Sequence, residues 1–164
     1  MPHTGSMSEQ TITVRAYRTA DALPTLRCFQ RAVRGTASRD YDARQIESWA
    51  AVDVEAWGRR RASVETWVAE RDGHLVGFTD IDDDGYIDMM FADPDAARVG
   101  VASALLENTV DLVGRRGGTE LTVQASITAR PFFERHGFVV TAEQQVELRG
   151  SLLANFRMRR TLGE

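Results

Sequence analysis

The chain has 164 residues, 20 basic and 24 acidic, for a formal net charge of -4. All 20 basic residues are arginine and lysine is absent, which excludes a Schiff-base lysine, a pyridoxal-phosphate anchor and a P-loop lysine. One cysteine, Cys28, rules out an internal disulfide and a cysteine-rich zinc site; of three histidines, His3 falls in the terminal stretch Met1 to Ser6, and the remaining two, His74 and His136, are too few for a multi-histidine metal cage, while the acidic balance argues against broad nucleic-acid binding.

Met1 to Ser6, with His3, reads as a cloning remnant ahead of a native Met7. Residues 7–164 are then expected to form one domain, with 43% hydrophobic and 27% charged residues typical of a globular protein. No run of 18 apolar residues is present, so the expectation is a cytoplasmic monomer or homodimer without membrane or nucleic-acid partners.

Thr11 to Tyr17 alternates polar with apolar residues and predicts a strand. Leu23, Leu26, Phe29 and Val33 recur at helical spacing until Gly35, and Asp42 to Trp57 predicts a second helix ending at Gly58 and three arginines. Thr66 to Glu70 and His74 to Thr79 form a predicted hairpin around Asp72-Gly73. A third run, Gly85 to Phe91, stops at Asp93-Pro94. From Arg98 to Arg116, Val101, Leu105 and Leu112, with Leu106, Val110 and Val113, repeat at helical spacing up to Gly117-Gly118. Glu120 to Val123 predicts a strand and Thr128 to Arg135 a helix; Phe138 to Leu148 and Leu152 to Met158 predict a hairpin around Gly150-Ser151. The order is βααβββαβαββ, a mixed α/β domain of α+β type with a mostly antiparallel sheet.

Met89 to Leu106 carries the chemistry: a strand, a proline-bounded loop, and a Gly100-containing entry into a long helix. Unpaired N–H groups and the helix dipole favour an anion there. Small residues at Gly100, Ala102 and Ser103 let a pyrophosphate approach the backbone. The bland alternative is that these small residues only pack helix on sheet.

The segment resembles the GNAT superfamily of acyl-CoA-dependent N-acetyltransferases. Ala97, Arg98, Val99, Gly100, Val101 and Ala102 fall on that family's loop signature, with Ala97 replacing the usual Gln or Arg. Ser126 to Phe138 is similar to a second motif, with Ser126 in place of asparagine and Phe133 in place of tyrosine. The tail from Gln144 to Met158 looks like the subgroup called YafP-like. The resemblance implies acetyl transfer from acetyl-CoA, as co-substrate, to a primary amine by direct attack in a ternary complex. It also implies a sheet splayed at its centre, with helices on both faces. Met90, Phe91 and Ala92 would face the pantetheine, Arg98, Val99, Gly100, Val101, Ala102 and Ser103 would cradle the pyrophosphate, and Ser126 and Phe133 would flank the arm. The amide near Met90 is the implied oxyanion donor. The expected acceptor is a small-molecule or peptide amine, and no metal is implied. An alternative is a CoA-binding module of this fold without transferase activity.

An alkylamine with pKa of about 10.4 is neutral in roughly one molecule in 2500 at pH 7, so deprotonation is worth about 4.6 kcal/mol. A thiolate leaving group with pKa of about 8.5 needs only about 2 kcal/mol of help. A base therefore matters more than an acid, and losing the tyrosine at Phe133 is tolerable, with Tyr86, Ser126 or water as substitutes. Asp88, expected to share a strand face with Tyr86 and Met90, is the favoured base. The remaining histidines read as structural: His136 as a helix-end residue satisfying a carbonyl, His74 as a hairpin surface residue. Cys28 reads as buried and structural. Asp80 to Asp88 matches a calcium loop through six positions but has Phe91 where the bidentate glutamate belongs, so an acidic turn is the reading. Tyr41, Trp49 and Trp57 lie in the region that covers the acceptor in the resembled family, with core packing as the default for each.

Overall fold

The computed structural model describes residues 11–163, except for the side chains of Ala97 and Arg98. The cloning remnant expected at residues 1–6 lies outside that range, as does the side chain of Arg98. Among the described residues eight strands and five α-helices follow in order: β1 (Thr13–Ala16), α1 (Ala22–Gly35), α2 (Ala43–Ala50), α3 (Val54–Ser63), β2 (Glu65–Arg71), β3 (His74–Ile81), β4 (Tyr86–Ile87), β5 (Met90–Ala92), α4 (Val101–Arg115), β6 (Glu120–Ser126), α5 (Arg130–Arg135), β7 (Val139–Leu148) and β8 (Ser151–Thr161).

The expected single helix from Asp42 to Trp57 is two helices, because two caps compete for it. Asp42 and Gln45 cap each other's backbone amides at 2.8 Å at the start of α2. Ala51 turns extended, and Asp53 then accepts from the Ala56 amide at 2.8 Å to start α3. Gly58 and the arginines do not end α3, which runs on to Ser63 because Trp57 and Arg61, one turn apart, are both buried.

The strands form two four-stranded sheets, β1-β2-β3-β5 and β4-β6-β8-β7. All pairs are antiparallel except β4 with β6. The run from Gly85 to Phe91, expected as one strand, is split between them: Tyr86 and Ile87 pair with Thr122 and Val123, while Met90, Phe91 and Ala92 pair with Thr79, Phe78 and Gly77. Asp88 and Met89 form the break. The cause is a side chain: the buried Asp80 carboxylate accepts the amides of Asp88 at 2.8 Å and Met89 at 3.1 Å through Oδ1. Those amides are thereby diverted from a continuous ladder.

Two main cores follow. Leu26, Phe29, Val33, Trp57, Val68 and Phe78 pack α1 and α3 on the first sheet, while Ile87, Val123, Phe133, Phe138 and Met158 fill the second. The helix α4 serves both, Val101 and Leu105 packing with Ala69 and Leu106 and Val113 joining the second core. It seats closely because Gly77 on β3 lacks a side chain: a Cβ there would stand 2.5 Å from Val101 Cγ1 and 3.0 Å from the Phe91 carbonyl. Contiguous motif and sheet end are thus locked together by one missing methyl group.

Candidate active site

The cleft lies where the sheets part, with β5 on one side and β6 and β8 on the other. It holds two adjoining cavities of about 240 and 290 Å³ that share Trp49, Met90, Phe91, Ser126, Ala129 and Phe133. A two-substrate enzyme requires such a shared wall, because the reacting groups must meet there.

The larger cavity runs past Met90, Phe91, Ala92 and Ala102. Asp93 donates its amide to Val76, and Asp80 donates its amide to Met89, so the odd residues of β5 face β3. Antiparallel alternation turns the backbone N–H and C=O of Met90 and Ala92 the other way, into the gap. Beyond them the chain makes a 3-10 turn, Pro94–Val99, opened by Asp93, which accepts from the Asp95 amide at 2.9 Å. The helix expected to begin near Arg98 therefore begins at Val101. Gly100 joins turn to helix with φ of 88°, a conformation that strains any residue with a Cβ, and a Cβ there would meet nothing within 4 Å. The first-turn amides of α4 lack partners within the helix, the feature that lets a helix start receive a phosphate ester.

The expected cradle residues divide. Val101 is fully buried against Gly77, so its side chain is core and only its backbone is available. Val99 is exposed. Ser103 Oγ lies 3.3 Å from His136 Nε2. His136 Nδ1 is 2.9 Å from the Phe132 carbonyl, which only accepts, so Nδ1 carries a proton, and Nε2 shares a hydrogen bond with the serine. The Ser103 hydroxyl is committed to that bond, and His136 satisfies a helix-end carbonyl as expected. Ser126 ends β6 and accepts from the Ala129 amide at 3.0 Å, turning the chain into α5. Phe133 is buried, packed edge-on against Phe138.

The smaller cavity is walled by Phe29, Tyr41, Trp49, Val146, Leu148 and Leu153, with Tyr86 and Asp88. Trp57 is core, its indole donating to Thr25 Oγ1 at 3.0 Å. Of the aromatics in that region, Tyr41 and Trp49 reach the cleft. Tyr41 is also a clasp: its hydroxyl accepts from the Ile127 amide at 2.9 Å and donates to the Ala154 carbonyl at 2.8 Å. Cys28 is buried, and burial pushes its thiol up to about 12; it is no nucleophile.

Tyr86 and Asp88 share the cavity with Met90, though across a broken strand; the tyrosine hydroxyl is 3.5 Å from Asp88 Oδ1. Burial first, and then the Asp80 charge, raise the Asp88 carboxyl above its ordinary range, while Arg60, 3.9 Å away, opposes the rise. Burial and the neighbouring aspartates push Tyr86 up to about 12, keeping its hydroxyl protonated at neutral pH.

Behind them sits a pair that sequence reading missed. Arg61 Nη1 donates to Asp80 Oδ2 at 2.6 Å, with both side chains almost wholly buried. The guanidinium lies 5.1 Å from the Trp57 ring centroid and 5.9 Å from that of Phe78. One aspartate oxygen thus holds a buried cation while the other holds the strand break that presents Asp88. Asp80 and Arg61 were read as parts of an acidic turn and a helix stop, and nothing local in sequence joins residues 19 apart. In the turn itself Asp82 Oδ1 accepts the amides of Asp84 and Tyr86. No cluster of three or more His, Cys, Asp or Glu arranged to hold a metal occurs among the described residues. Nor is any described helix long and apolar enough to cross a membrane.

Comparison with known proteins adds an independent line. Residues 37–160 match the family model described as an acetyltransferase (GNAT) domain. The chain is 44% identical over 148 residues to the N-acetyltransferase YafP of Escherichia coli K12, covering 90% of this chain and 95% of that one. A GCN5-related N-acetyltransferase structure from Rhodopseudomonas palustris is 32% identical and superposes with a TM-score of 0.89 over 93% of this chain and 96% of that one. YncA of Salmonella typhimurium, solved with its cofactor acetyl-CoA, shares the fold at 21% identity and a TM-score of 0.67, over 94% of this chain and 95% of that one.

Proposed function

The chain belongs to the GNAT family of acetyltransferases, and from that premise we propose how its residues divide the work of acyl transfer to a primary amine. The finer assignment is an acyl-CoA-dependent N-acyltransferase that holds both substrates in one ternary complex. The observation that carries it is the pair of adjoining cavities meeting at Met90, Ser126 and Phe133.

Acetyl-CoA would supply the acyl thioester and a thiolate leaving group. The outward-facing backbone of Met90 and Ala92 extends the sheet edge toward the pantetheine, and the α4 amides after Gly100 receive the pyrophosphate. No lysine is available, so backbone and arginine must hold the phosphates; Arg98 remains the arginine proposed for contact. The Met90 N–H donates where negative charge grows on the acyl oxygen, a contact worth about 3–4 kcal/mol in acyl transfer.

Asp88 takes the proton from the acceptor ammonium. Its raised carboxyl pKa narrows the gap to the amine, as a general base near the working pH requires. Tyr86, protonated at neutral pH, orients Asp88 and supplies a hydroxyl for returning a proton to the thiolate. Ser126 caps the turn after β6 and shapes the junction, so its proposed role is positioning. Phe133 contributes apolar wall only.

The test is thiol release from acetyl-CoA across an amine panel, with and without Asp88→Asn. Amine-dependent release that collapses in the variant while CoA still binds supports the assignment. Saturable CoA binding with no turnover on any amine would favour a binding module instead.

A further inference from the structure

We infer that the acceptor is a primary amine bearing one positive charge and an aromatic or branched hydrocarbon body, not a polyamine, an amino acid or another carboxylate-bearing amine. The inference rests on the two-cavity reading above and names what the smaller cavity selects.

Charge is the first argument. Among the described residues, Asp88 is the single charged residue lining the smaller cavity, and no arginine lines it. An ammonium beside Asp88 is compensated, but a second ammonium along a polyamine would meet Phe29, Val146, Leu148 and Leu153, with the neutral side-chain oxygens of Gln124 and Asn155 as acceptors and no second carboxylate. A carboxylate on the acceptor would lack any cationic partner and face Asp88. Arg60 stands outside that lining and is turned to Asp88 at 3.9 Å, and Arg135 lines the adjoining larger cavity instead.

Shape is the second. Tyr41 stacks edge-on against Trp49 with centroids 5.4 Å apart, and Phe29 against Phe91 at 5.0 Å. These rings are held by each other and by the Tyr41 clasp, so they form a preset apolar slot. A dry apolar cavity of about 150 Å³ already holds a benzene ring. The 240 Å³ here adds room for a short amine arm reaching Asp88.

The experiment compares 2-phenylethylamine and 3-methylbutylamine with phenylalanine, spermidine and a short peptide, by thiol release. Calorimetric binding to the enzyme with CoA present supplies a second readout. The first two amines are expected to exceed the others in kcat/KM by at least about tenfold, the size of discrimination one misplaced group commonly causes. Phenylalanine, which differs from 2-phenylethylamine by its carboxylate alone, is the sharpest comparison. Leu148→Ala, at a residue that lines the smaller cavity and not the larger one, should weaken 2-phenylethylamine binding while retaining CoA binding, which verifies the fold. Rapid acetylation of spermidine or the peptide, with no preference for the hydrocarbon amines, would overturn this inference and leave acyl transfer standing. Leu148-dependent binding of 2-phenylethylamine without turnover of any amine would uphold the ligand class and sink the transferase reading.

Discussion

On the coenzyme side, the groups facing the cleft are peptide N–H and C=O groups, of Met90, Ala92 and the first turn of α4. On the acceptor side they are side chains: Phe29 from α1, Trp49 from α2, Tyr86 and Asp88 at the sheet break, and Val146 and Leu153 from the last hairpin. A backbone surface is indifferent to which residues carry it, provided the chain takes the right path. A side-chain surface changes with each substitution. Of the family departures, Ala97 falls on the first side, while Ser126 and Phe133 stand on the wall that both cavities share.

The contrast is broken most severely at Asp88. Asp88→Asn should lower kcat by roughly 10²–10⁴-fold, the usual worth of a general base, with CoA affinity measured by calorimetry unchanged. Equal loss of both would erase the division between the two walls. Next, Asp80→Asn removes the partner of a buried guanidinium and should destabilise the fold by about 3–5 kcal/mol, read as a shift in the urea midpoint. A neutral result would mean that the pair does not hold the strand break. Gly77→Ala forces a methyl group against Val101 and the Phe91 carbonyl. Overpacking of about 1–3 kcal/mol should lower Tm and weaken CoA binding together, because α4 is displaced from β5. Ser126→Ala should have the smallest effect, about 1 kcal/mol from a lost turn cap, with CoA affinity nearly preserved. A large loss of affinity would make the coenzyme side depend on side chains after all.

The same contrast explains what the sequence could disclose. The coenzyme wall is one contiguous stretch, Met89 to Leu106, in which strand, turn and helix follow each other with their punctuation in order. Periodicity found α4 through Val101, Leu105, Leu106 and Val113, all of them buried. The acceptor wall draws on six separate elements, and no periodicity links Phe29 to Leu153. The strand break had no local signal because its cause, Asp80, acts through a side-chain oxygen from the neighbouring strand. The helices α2 and α3 read as one in sequence because the Asp53 cap between them is a single acidic residue inside an otherwise helical stretch. Tyr86 and Asp88 were found together by a two-residue alternation that survives just as far as the break.

The most direct test of Asp88 as the base is the pH profile of kcat/KM for the amine, in the native enzyme and in Arg60→Ala. The base must be ionised, so kcat/KM falls as pH drops through the Asp88 pKa, and burial beside Asp80 places that limb above the ordinary aspartate range. Arg60 is exposed and opposes the rise, so its removal raises the Asp88 pKa further. The predicted result is an acid limb that moves to higher pH in Arg60→Ala with the plateau retained. A limb that stays in place, or no limb above the ordinary aspartate range, would contradict the assignment.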